Sequence, residues 1–173
     1  MFSGGYLLQL ALVIHARQLF IGDFSTLLMK TKAKGSNAER ELLHSFWEHG
    51  IACMRAAGSG STRHPCPDLI AGTPLRKLAI ECKATGNVKQ YLSQQQIAEL
   101  RTFSTLFAAE PWIAVRFDHY SKKDELGWYF LTLDDLRETE GNNYVISVEL
   151  AKLKGLRFSE LINTPSLISA RQN

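Results

Sequence analysis

Residues 78–84 read LAIECKA, and this segment constrains the chain more than any other. Side chains on a strand alternate between faces. Leu78, Ile80, Cys82 and Ala84 therefore form one apolar face, and Ala79, Glu81 and Lys83 form the other. Glu81 and Lys83 lie side by side, their Cα atoms about 6.6 Å apart along the strand. Charges on an otherwise apolar strand are costly unless they are paired or bind a metal. A further carboxylate lies upstream, where Pro67-Asp68 is separated from Glu81 by twelve residues. Asp68 opens a short apolar strand that runs to Ala71. A hairpin through Thr73-Pro74-Leu75-Arg76 brings Asp68 beside Glu81.

Two carboxylates beside a lysine suit phosphodiester hydrolysis. Hard oxygen ligands hold Mg²⁺, which keeps several of its waters. The ion polarises a phosphoryl oxygen and lowers the pKa of a bound water. A neighbouring lysine orients that water and stabilises the charge of the transition state. An isolated Glu-x-Lys is a weak signal and fits an ordinary surface hairpin. Asp68 in register with the pair is what raises it. Glu39 adds a third acid, since it falls within the apolar stripe of Leu42, Leu43 and Phe46 on a helical wheel. It has two readings: a partner for the metal or the lysine of the site, or the second half of a capping box with Ser36.

Arg55, at the end of a short strand over residues 51–55, is a candidate phosphate contact, because arginine binds phosphate in bidentate fashion. The Gly58–His64 loop, with Ser59 and Arg63, is a second. Its glycines and serines permit close backbone approach. Lys89, just past the catalytic strand, is a third. Without the neighbouring carboxylates, the loop reads as a plain connection. Charge agrees with this placement. Residues 30–89 hold ten Lys/Arg against five Asp/Glu, whereas residues 90–173 hold nine against eleven. A phosphate-binding surface has this asymmetry, although on charge alone a solvated basic face fits equally well.

The remaining pattern predicts helices over residues 36–48 and 94–107, strands over 112–117 and 127–131, and a helical turn over 134–137. The tail after Phe158 is poorly patterned. The order α-β-β-β-α-β-β predicts an α/β fold with a mixed central sheet flanked by helices. Residues 1–28 are mostly apolar with little charge and read as an N-terminal extension outside the core. The basic run after Met29 opens a working domain over 29–162, and 163–173 read as a C-terminal tail. The first basic residue, Arg17, follows the apolar run, which is the wrong order for a secretory signal. No segment is long and apolar enough to span a bilayer. The three cysteines, Cys53, Cys66 and Cys82, form no C-x-x-C and suggest neither a disulfide framework nor a zinc site. Cys53 and Cys82 read as small core residues, and the expected compartment is the cytoplasm.

Four segments together resemble the archaeal Holliday junction resolving endonucleases, a family of restriction-endonuclease-like nucleases. They are residues 35–42 (GSNAEREL), 54–61 (MRAAGSGS), 67–71 (PDLIA) and 80–83 (IECK). The resemblance spans roughly residues 32–162 and is specific in its first half. It implies a Mg²⁺-dependent homodimer, with Mn²⁺ able to substitute, that cuts symmetrically related strands of a four-way DNA junction. It implies that Glu39, Asp68 and Glu81 are metal-site acids and Lys83 the catalytic lysine. Arg40 and Arg55 correspond to substrate or active-site arginines, and Ser59 sits in the loop that approaches the junction. Ser61-Thr62-Arg63 departs from the lysine-rich stretch expected there. There are three rival readings. One is a nuclease of the same fold acting on duplex or flap DNA. The second is a non-catalytic nucleic-acid-binding module using the basic half, which has no use for buried acids facing phosphates. The third is RNA processing. The aromatics Phe103, Phe107, Trp112 and Phe117 exceed what a small core needs, which places the dimer face on the sheet or the second helix.

Overall fold

The structure is a computed structural model, and it describes residues 35–56, 64–120 and 127–164. The chain divides into two units, Met1–Ser36 and Asn37–Asn173, and the fold below is that of the second. The expected boundary at residue 28/29 lies outside the described residues.

Helix α1 covers residues 35–48, so Ser36 lies inside it. Its apolar stripe is Ala38, Leu42 and Phe46, all buried, whereas Trp47 is 56% exposed. Gly50 ends the helix at φ +72°. There the Ile51 N–H reaches back to the Phe46 carbonyl at 2.9 Å, a left-handed stop that favours glycine. The strands β1 (Ala52–Arg55), β2 (Leu69–Gly72) and β3 (Lys77–Thr85) follow. The turn between β2 and β3 is closed by Thr73 N–H to Arg76 O at 2.8 Å, where the sequence placed it. Then come β4 (Lys89–Ser93), α2 (Gln94–Phe107), β5 (Glu110–Phe117) and β6 (Trp128–Leu131). A 3-10 turn at Leu133–Asp135 leads to β7 (Arg137–Glu138), β8 (Asn143–Ser147), α3 (Val148–Lys154) and α4 (Phe158–Asn163).

The central sheet has the order β1-β2-β3-β5-β6. The β3–β5 pair is parallel and the others are antiparallel, so the mixed sheet is as expected. Alternation along β3 feeds two cores. Leu78, Ile80 and Cys82 pack with α1 and with Phe158 and Leu161 of α4. Ala79, on the opposite face, joins Ile97 and Leu100 of α2, Leu92, Ile146 and residues of α3.

Three features depart from the sequence pattern. A second sheet, β4-β8-β7, packs on the α2 side, and Arg137 lies in its strand β7 instead of in a helical turn. The tail after Phe158 is ordered into α4, with Phe158 and Leu161 buried. Trp112 and Phe117 are almost fully buried in the two cores and cannot form a dimer face, whereas Leu106 and Phe107 of α2 are 84% and 44% exposed.

A buried ion pair ties α4 to the sheet. Arg76 donates through Nε and Nη2 to both oxygens of Glu110, at 3.0 and 2.7 Å, and through Nη1 to the Leu161 and Thr164 carbonyls. Glu110 is 1% exposed. Arg76→Ala takes the cation away from that buried carboxylate, and breaking a buried pair from one side costs about 3–5 kcal/mol. Chemical denaturation should show a loss of this size. A loss under about 1 kcal/mol, the range of exposed pairs, would reduce the pair to a surface contact.

Candidate active site

β2 and β3 pair with Leu69 opposite Ile80, so Asp68, one residue before β2, comes level with Glu81. Its Oδ2 accepts the Cys82 backbone N–H at 2.8 Å. Asp68 is only 9% exposed, and this bond fixes its carboxylate against β3. Glu81 and Lys83 share a face, and Lys83 Nζ donates to Glu81 Oε1 at 2.6 Å. Asp68, Glu81 and Lys83 line one cavity of about 360 Å³.

The electrostatics of the trio are those of a crowded anionic site. Burial raises the Glu81 pKa, and the charges of Asp68 and Glu39 raise it further against the opposing pull of Lys83. Burial acts to lower the Lys83 pKa, but the charge and hydrogen bond of Glu81, with help from Asp68, outweigh it and hold the ammonium above its ordinary value. Lys83 is therefore a firmly charged donor.

Glu39 reaches the neighbourhood from α1, and its Oε2 accepts from Arg55 Nε at 2.5 Å. The helix carries the acid and β1 carries the arginine, so the pair pins α1 to the strand end beside the site. Arg40, the next residue, is exposed and donates to Asn37 Oδ1 at 3.0 Å. Lys89 is exposed at the start of β4. Ser59 and Arg63 lie outside the described residues. Among the described residues, no three His, Cys, Asp or Glu side chains gather to hold an ion by themselves. Cys53 and Cys82 are buried, as expected, and burial pushes the Cys53 thiol up to about 12. No described helix is long and apolar enough to cross a membrane.

Comparison with known proteins decides the family. The family model for the archaeal Holliday junction resolvase (hjc) matches residues 30–169. The chain belongs to the archaeal Holliday junction resolvase family. The crossover junction endodeoxyribonuclease Hjc of Archaeoglobus fulgidus is 37% identical over 135 residues, which cover 75% of this chain and 95% of that protein. The enzyme of the same name from Methanocaldococcus jannaschii is 35% identical over 129 residues, covering 75% and 86%. The 1.6 Å structure of A. fulgidus Hjc, a Holliday junction resolvase from an archaeal hyperthermophile, superposes with a TM-score of 0.64 at 35% identity. The superposition covers 72% of this chain and 94% of that one.

The far wall of this resolvase-family pocket was not anticipated. Ser93, Gln95, Gln96, Glu99 and Leu100 line it from β4 and α2, with Cys66 and Pro67 at the near edge. Ser93 caps α2: its Oγ accepts the Gln96 N–H at 3.2 Å, and the Gln96 side chain accepts the Ser93 N–H at 3.0 Å. Gln95 donates to Glu99 at 2.8 Å. The Ser-x-x-Gln pattern of a capping box after a strand-like segment is the signal that could have found it.

Proposed function

We propose that the protein is a structure-selective endonuclease that resolves four-way DNA junctions by Mg²⁺-dependent phosphodiester hydrolysis, working as a homodimer. The observation that carries this reading is the convergence of Asp68, Glu81 and Lys83 on one pocket in a chain of the resolvase family.

The donor set fits a hard divalent cation. Mg²⁺ is held by one or two carboxylates and completes its shell with waters and substrate phosphate, so a two-acid site is sufficient. Burial foremost, and then the charges of Asp68 and Glu39, raise the Glu81 pKa, and a bound cation would offset both by stabilising the carboxylate. Asp68 and Glu81 are the residues to hold it, with Glu39 close enough to add charge while it orients Arg55. When bound, the ion activates water and polarises the scissile phosphate. Lys83 uses one of its three donors on Glu81 and keeps two for the attacking water and the phosphoryl oxygens. Arg55, held by Glu39, is directed at an adjacent phosphate. Water gives up a proton as its oxygen adds to phosphorus, the P–O bond to the leaving strand breaks, and the expelled oxygen takes up a proton from solvent.

One site cuts one strand, so resolution of a junction needs two sites facing opposed strands. A two-fold dimer supplies them. The exposed Leu106 and Phe107, with Phe103 stacked on Phe107 at 5.3 Å, support a subunit contact on α2. Arg40, Ser59, Arg63 and Lys89 remain the proposed DNA contacts. Three unpaired cysteines suit the reducing cytoplasm.

The test is incubation of purified protein with labelled four-way junction, linear duplex and single strands, with and without Mg²⁺. Paired, symmetric nicks in the junction alone, only with Mg²⁺ and from a species that sediments as a dimer, are expected. Equal cutting of duplex, or a monomer cutting at full rate, removes the resolvase reading and leaves a general nuclease of the same chemistry.

A further inference from the structure

The outward face of the three-stranded sheet carries a feature that the catalytic pocket does not account for. Leu92, Ile146 and Tyr144 of β4 and β8 turn into the core. The opposite face therefore presents Lys89, Tyr91 and Ser93 of β4, and Asn143, Val145 and Ser147 of β8. Tyr91 stands level with Val145, and Val145 stands level with Arg137 of β7. Tyr91 and Arg137 thus lie in one row, with Cα atoms about 10 Å apart across three strands. Tyr91 is 56% exposed, and Lys89 and Arg137 are exposed. One acid borders the face at its Lys89 end: Glu149, at the start of α3, bonds the Ser147 side chain and lies within reach of the Lys89 charge. Glu138 is level with Tyr144, on the other side, and accepts from Gln94 Nε2 at 3.0 Å.

A single exposed aromatic is ordinary, but the position of this one is not. Ser93 lines the catalytic pocket together with Lys83. Tyr91 and Lys89 follow it on the same side of the strand, about 6.6 and 13 Å further out. An aromatic ring between two cations, continuous with a phosphodiester-cleaving pocket, has the chemistry of a single-strand platform: the ring meets a base and the cations meet the backbone.

We propose that this face binds an unpaired nucleotide of the DNA strand leaving the pocket, with Tyr91 stacked on the base and Lys89 and Arg137 on the flanking phosphates. The proposal rests on the nuclease reading and deepens it, making Tyr91 a specificity residue. In linear duplex every base is stacked inside the helix and offers Tyr91 no face. At a branch point an unstacked base is available.

The test uses the full chain in EDTA, so that nothing is cut, with three probes: a four-way junction bearing 2-aminopurine at the branch point, a 2-aminopurine single strand, and linear duplex. Wild-type protein should quench the fluorophore on the first two. Tyr91→Ala should bind both about ten- to a hundredfold more weakly, without quenching, while its duplex affinity changes less than twofold. Tyr91→Phe should restore binding and quenching. Lys89→Ala and Arg137→Ala should each flatten the log–log salt dependence by about 0.7–0.9. The proposal is overturned if Tyr91→Ala binds the junction as wild type does, or loses duplex and junction equally. It is also overturned if Tyr91→Ala turns a sedimenting dimer into a monomer, which makes the face a subunit contact. The two readings fail separately. Wild-type protein that resolves junctions in Mg²⁺ while Tyr91→Ala is indistinguishable from it removes the platform alone. Tyr91-dependent single-strand binding without junction cleavage keeps the platform and removes the resolvase.

Discussion

Asp68→Asn should remove cleavage while leaving the fold and junction binding intact. The Asp68 carboxylate accepts the Cys82 N–H, and an asparagine oxygen accepts the same bond, so the β2–β3 register survives. The substitution removes the negative charge. A hard cation depends on that charge, and its electrostatic contribution is several kcal/mol. At about 1.4 kcal/mol per decade, the rate should fall about 10³- to 10⁴-fold. Binding draws on the Lys/Arg surface and should change little. A second readout is independent of activity. A cation that binds only the folded protein stabilises it by about 2.7 kcal/mol at a hundred times its Kd. Mg²⁺ should therefore raise the melting temperature of the wild-type protein and not that of the variant. Near-wild-type cutting, or a Mg²⁺ shift that persists in the variant, would remove Asp68 from the metal site. Glu81→Gln should lose cleavage equally and some stability as well, because the amide oxygen still accepts from Lys83 but no longer offers it a negative charge.

Strand β3 was legible because its signal is local. Residues 78–84 alternate strictly, and the alternation corresponds to two separate cores. The position of Asp68 followed from a four-residue turn of ordinary chemistry. The second sheet was not legible. β4 buries only Leu92 fully, its partner β8 lies fifty residues on, and such a strand is defined by its neighbour more than by its own composition. α4 is six residues long with two buried side chains, too short for a helical period to emerge. The pairing of Glu39 with Arg55 joins a helix to a strand sixteen residues away. The sequence showed a misplaced acid on an apolar face but not its partner. The far wall of the pocket was hidden for a related reason: Gln95, Gln96 and Glu99 occupy the polar side of a helix correctly read as amphipathic, and only the fold turns that side towards Lys83.

Lys83→Ala should lower the cleavage rate about 10²- to 10³-fold, the usual cost of losing one preorganised donor at a developing charge. Its effect on junction affinity should be small. In the proposed reaction Lys83 shares the DNA with the other Lys/Arg contacts, and its particular contribution is to the transition state. The substitution also changes the pH dependence, in a direction that the site determines. In the proposed reaction Glu81 works as a carboxylate, so activity should require a pH above its pKa. Burial, Asp68 and Glu39 push that pKa up, while the charge and hydrogen bond of Lys83 pull it down. With Lys83 gone, only the raising influences remain. The acid limb of the residual pH–rate profile should therefore move to higher pH than in wild type. Lys83→Arg separates the two roles. It returns a positive charge beside Glu81, so the limb should move back towards its wild-type position. Its planar, wider head cannot place donors where an ammonium does, so the rate should stay low. Single-turnover rates across pH, with Kd measured in parallel, read all of this. A loss of binding in proportion to rate would make Lys83 a docking residue. An acid limb that ignores both substitutions would mean that Glu81 is not the group whose protonation stops the reaction.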